Sequence, residues 1–148
     1  MTTQPLASRF FDIALWIAGL GHFVILIASL QVPIQLDWKH DLAQIRPLNR
    51  KLLWVQGAFT VLTIIAFGTL ILVLHRELLR GDRAAMGLIA FIAVYWSARV
   101  GVDAVYFSHA DWPPGRRFIV GHVLLTSLFT ALASFFIALL LWNLLRPT

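Results

Sequence analysis

The sequence predicts an all-α fold: an integral membrane four-helix bundle running up-down-up-down. Three observations carry that expectation. Of 148 residues, 59% are hydrophobic and only 13% are charged, about half the charged share of an ordinary soluble domain, and the mean hydropathy is +0.81. Four stretches each supply the roughly 20 apolar residues that a helix needs to cross about 30 Å of hydrocarbon. The connections between them are short, which sets sequence neighbours side by side in alternating directions.

The first span covers approximately residues 10–32, and Pro33, which cannot continue the helical hydrogen-bond ladder, is expected to stop it. Arg9 and the small residues Ala28-Ser29 give it the outline of a cleavable leader, but its length and the interruptions at Asp12 and His22 favour a retained span. The second span, residues 52–74, carries no charge. The third, residues 84–107, holds Arg99 and Asp103. The fourth, residues 118–145, is apolar apart from a few hydroxyls, His122 and Asn143. Backbone groups surrounded by lipid must be satisfied within their own segment, so runs of this length are helices. The four spans are expected to form one transmembrane domain over residues 1–148.

The longest connection runs from Pro33 to Lys51. Within it Trp38, Leu42 and Ile45 recur at helical spacing, while Lys39, His40, Asp41 and Gln44 occupy the other positions. This predicts a short amphipathic helix lying in the interface and ending near Pro47. The second connection, His75 to Arg83, is tight and charged. The third includes Asp111-Trp112-Pro113-Pro114-Gly115, a turn in which two prolines forbid helix. With four spans, both termini share one side with the second connection.

A net charge of +5 and a pI near 10.8 invite a nucleic-acid reading, but the basic residues stand in small groups at span ends, where they meet lipid headgroups. No continuous basic face is available for nucleic acid. Lys39, Arg46, Arg50, Lys51, Arg116 and Arg117 fall on the side of the first and third loops, against Arg9, Arg76, Arg80, Arg83 and Arg146 on the terminal side. With the two sides so nearly balanced, the positive-inside rule does not fix the orientation. A bacterial inner membrane with both termini in the cytoplasm is the general expectation. The chain has no cysteine, which removes disulfides, thiolate metal sites and thiol chemistry.

Ionisable residues at membrane depth are costly and face the bundle interior, where they mark function. At about 1.5 Å of rise per residue, Gln56, Asp103 and His122 lie roughly 6 Å below the loop-side surface, and Thr60, Arg99 and Thr126 roughly 12 Å. Thr63, Tyr95 and His22 lie near the midplane. Gln56, Thr60 and Thr63 share one stripe of their helix; so do Tyr95, Arg99, Asp103 and Tyr106, and so do His122, Thr126 and Ala133. His22 follows Ala14 and Ala18 on a small-residue face that favours close helix packing, and so should point inward. The expected site is therefore a dead-ended polar cluster of Gln56, Arg99, Asp103, His122, His22, Tyr95, Tyr106, Thr60 and Thr126, opening from the loop side.

Plainer roles compete for several of these residues. Arg99 and Asp103, four apart, can simply neutralise each other, although Arg before Asp is the weaker order on a helix. Thr60, Thr63 and Thr126 can each satisfy a carbonyl one turn back. Tyr106, Trp54, Trp112 and Trp142 fall near span ends, where aromatic belts form, and His75 reads as an ordinary helix-end residue. His40, His109, Asp37, Asp41 and Asp111 match no ligand spacing, so no metal is expected. His22 and His122 differ by about 9 Å in depth on the helical rise, which disfavours bis-histidine haem and leaves any cofactor unknown.

Three functional readings follow. The first is a non-catalytic accessory or ligand-binding subunit whose partners are the lipid bilayer, a lipophilic small molecule or other membrane subunits. The second is a small membrane enzyme acting on a quinone, isoprenoid or lipid, with His122 and Asp103 exchanging protons and Arg99 holding an oxygen. The third is a proton-coupled transporter, weakened by the half-length polar track and the lack of interrupted helices.

Overall fold

The computed structural model describes residues 3–107 and 115–146, and these are helical with no strand among them. Among them six α-helices follow in order: α1 (Thr3–Gln35), α2 (Trp38–Asp41), α3 (Pro47–Val73), α4 (His75–Arg80), α5 (Arg83–Tyr106) and α6 (Arg116–Leu145). Four of them, α1, α3, α5 and α6, are long and apolar enough to cross a membrane. The residues group into two compact units, Ala14–Val73 and Met1–Ile13 with Leu74–Thr148.

In the unit Ala14–Val73, α1 does not stop at Pro33 as the sequence suggests, because the proline lies inside its last turn. A proline removes one amide donor, and the ladder resumes beyond it through Leu36 N–H to the Val32 carbonyl at 3.0 Å. The helix ends instead at Gln35, and after a short turn Asp37 adopts left-handed backbone with φ 46°. The expected amphipathic helix is shorter than its pattern: α2 covers four residues and a 3₁₀ turn, Leu42–Gln44, continues it. Its polarity is as the spacing implies, with Trp38, Leu42 and Ile45 half-buried and Lys39, His40, Asp41 and Gln44 exposed. The Trp38 ring meets Trp54 edge-on at 5.8 Å. Pro47 opens α3, where a missing N–H costs nothing. Helices α1 and α3 approach closely at glycines: a Cβ on Gly68 would lie 3.1 Å from the His22 Cβ and 2.9 Å from the Phe23 ring.

In the second unit α5 and α6 pack antiparallel, as partners run in opposite order: Trp96 stacks on Phe129, while Asp103, further along α5, meets Thr126 and His122. The buried residues are Ala85, Ile89, Ile92, Ala93 and Trp96 on α5 and Phe129, Leu132, Ala133, Phe136 and Leu139 on α6. Both sets follow the three-and-four spacing of one helical stripe, and the alanines allow close approach. The second connection contains α4, closed by Gly81 at φ 77°, a left-handed position that glycine takes without steric penalty. Away from these contacts the helices present apolar side chains: Ile17, Val24, Leu62, Val94 and Leu124 are all more than half exposed.

Candidate functional site

Asp103 reaches the α5–α6 contact from the last two turns of α5. Its Oδ2 accepts the Thr126 hydroxyl at 2.7 Å, and His122 Nε2 stands 3.5 Å from the same oxygen. The Asp103 side chain is only 9% exposed and that of His122 19%. One carboxylate oxygen thus faces a hydroxyl donor and an imidazole nitrogen, both from one stripe of α6. The hydroxyl contact is a short charge-assisted hydrogen bond. The imidazole contact, at 3.5 Å, is longer than a direct hydrogen bond.

Thr126 is set apart by this choice. Thr60 and Thr63 give their hydroxyls to the carbonyls of Gln56 and Phe59, as the plain reading of such residues holds, and Thr130 gives its own to that of Thr126. Beside the cluster a groove of about 600 Å³ follows α6, lined by His122, Thr126, Ser127, Thr130, Ala131 and Ser134 among others. It combines an imidazole at one end with hydroxyls along its length. A molecule lying there would meet hydrogen-bonding groups spread from His122 to Ser134, roughly 18 Å of helix.

Arg99 forms no ion pair with Asp103. Among the described residues, ion pairs join His75 to Asp12 and His122 to Asp103. The Arg99 guanidinium instead lies over the rings of Phe107, at 5.9 Å, and Phe129, at 5.4 Å, within the reach of cation–π attraction. Tyr95 is half-buried with its ring edge-on to Trp96 at 5.2 Å. Tyr106 is 80% exposed and turns to Phe107 rather than to Asp103.

In the unit Ala14–Val73, His22 is fully buried. Its Nδ1 donates to the Ala18 carbonyl at 2.7 Å and its ring stands edge-on to Phe67. Gln56 and Thr60 are exposed on α3. His40, Asp37 and Asp41 are exposed as well, and among the described residues no three His, Asp or Glu side chains gather as a metal site. His109, Asp111 and Trp112 lie outside the described residues.

A second polar cluster escaped the sequence reading. His75, there an ordinary helix-end residue, is buried, and its Nε2 meets Asp12 Oδ1 at 2.7 Å. Asn143 Nδ2 donates to the Leu78 carbonyl at 3.1 Å and Arg146 to that of Leu79 at 3.0 Å, so α6 caps the end of α4. Trp142, expected in an aromatic belt, packs on Phe11 at 4.8 Å and beneath Arg146 at 4.7 Å. The sequence signals for this cluster were Asp12 and Asn143, polar residues within apolar runs. No family model, curated protein or solved structure matches the chain.

Proposed function

We propose that the chain is a multi-pass membrane protein with one up-down-up-down domain and both termini on the cytoplasmic side of a bacterial inner membrane. Four helices of spanning length and the apolar side chains on their outer faces support insertion, since soluble monomers expose few large apolar patches. Within that frame we read it as a non-catalytic ligand-binding subunit. Its site is the cluster Asp103–His122–Thr126, and its ligand is a lipophilic molecule with a polar head.

One observation carries the reading: a nearly buried carboxylate, bonded to Thr126 and facing His122 at 3.5 Å, beside a groove lined by that same histidine and threonine. A structural hydrogen bond needs neither a groove nor an imidazole. Purification in a neutral detergent followed by mass spectrometry tests it. The wild type should carry a small lipophilic molecule that His122→Leu loses while remaining folded. Equal amounts in both, or none in either, would remove the binding role. The closeness of His122 to Asp103 favours one second reading, proton exchange on a bound lipophilic substrate. A chemically altered ligand recovered from wild type but not from Asp103→Asn would select it.

A further inference from the structure

We infer that Arg99 is the anchor for an anionic head, a carboxylate or phosphate, on a lipid-tailed molecule. The inference rests on the ligand-binding reading and names the chemical class of that ligand. A cation within a spanning helix requires a counter-charge or an escape to water. The nearest candidate in sequence, Asp103, is committed elsewhere, its Oδ2 taking the Thr126 hydroxyl and facing His122. Among the described residues Arg99 makes no ion pair. Phe107 and Phe129 hold the guanidinium at 5.9 and 5.4 Å, but a ring face attracts the charge without saturating five in-plane N–H donors. Those donors form a planar fork that a carboxylate or phosphate meets with two parallel hydrogen bonds.

The surroundings narrow the class further. Arg99 is half-buried, so its edge is reachable from outside. The Asp103 carboxylate one turn away disfavours a second negative charge, which selects a monoanion. The apolar faces beside α5 and α6, with Val94, Val102 and Leu124 exposed, suit an acyl tail.

The full chain in neutral detergent, challenged with oleate or with 1-oleoylglycerol, separates charge from tail, because the two share an oleoyl chain. Native mass spectrometry gives the occupancies. The wild type should favour oleate about tenfold, an ion-pair contribution of ordinary size, and Arg99→Met should abolish that preference. Arg99→Lys should keep part of it, and Arg116→Met all of it. Dioleoyl phosphatidylglycerol against dioleoylglycerol, which shares the two tails and lacks the phosphate, repeats the comparison for a phosphate head and shows whether the source is a phospholipid or a free fatty acid. A wild type with no preference overturns the inference whether or not Arg99→Met folds. Preference retained in Arg99→Met overturns it too, as does Asp111→Asn raising oleate affinity tenfold, which would mean that a carboxylate of the chain already fills the position. Equal binding of oleate and 1-oleoylglycerol defeats the charge anchor and leaves the ligand-binding reading standing. Binding of neither defeats both.

Discussion

Thr126 gives its hydroxyl proton to Asp103 on the neighbouring helix, 2.7 Å away, although the carbonyl one turn back on its own helix offers the bond its fellow threonines take. Hydrogen bonds between spanning helices average about 0.6 kcal/mol and reach about 1.7. This one ends on a carboxylate, so Thr126→Val should lower stability by about 1 kcal/mol in a detergent unfolding titration, and Thr126→Ser should largely restore it. Thr60→Val, which removes a back-bonded hydroxyl, should change little.

Asp103 and His122 should prove energetically coupled. Changing both, as Asp103→Asn with His122→Gln, should cost less than the sum of the single losses by about 1 kcal/mol, the size found for residues in one polar network. A strictly additive cycle would mean that the 3.5 Å approach is without consequence for the fold.

Gly68 faces the Cβ of His22, and an alanine there would arrive 3.1 Å from it. Overfilling a packed contact costs about 1–3 kcal/mol, so Gly68→Ala should destabilise by that amount. Gly21→Ala, with nothing within 4 Å of the added carbon, should be neutral or mildly stabilising, since alanine favours helix. Thermal unfolding in detergent compares the two.

Gly81 combines a left-handed backbone with the Asn143 side chain, whose Oδ1 would lie 2.7 Å from an added Cβ. Gly81→Ala should cost at least about 1 kcal/mol. Asn143→Ala should also destabilise, by leaving the Leu78 carbonyl without its donor.

The proposed alternating topology is open to test by chemical labelling, because the chain has no cysteine of its own. Single cysteines at Thr3, Asp82 and Thr148 should react from one face of the membrane, and those at Gln44 and Arg116 from the other. Reaction of the Asp82 and Arg116 positions from the same face would defeat the four-span arrangement.

The four long helices were legible because an uninterrupted apolar run of the length needed to cross a bilayer has few alternatives. Their ends were less so: Pro33 reads as a stop, yet a proline in a last turn removes one donor and α1 continues past it. The meeting of Asp103 with His122 was legible from matching depth, whereas Thr126, read as one layer deeper, was legible only as a member of the His122 stripe. Which acceptor Thr126 would choose was not, since the sequence offers the back-bond and the cross-helix bond alike. The same holds for Arg99, where an acidic residue four positions on suggests a pair and two phenylalanine rings take the guanidinium instead. Asp12 and His75 are 63 positions apart, and no local pattern links them.

The stacking of Trp96 on Phe129, at 4.9 Å and 22° between planes, gives the protein an optical probe. Trp96 is 2% exposed, so its indole emits from a dry, rigid setting that soluble quenchers do not reach. The ring it stacks on also carries the Arg99 charge, whose field acts on the excited-state dipole of the indole. With Trp16, Trp38, Trp54, Trp112 and Trp142 replaced by phenylalanine, the emission of Trp96 would register any event that neutralises or displaces that guanidinium, without a label attached to the chain.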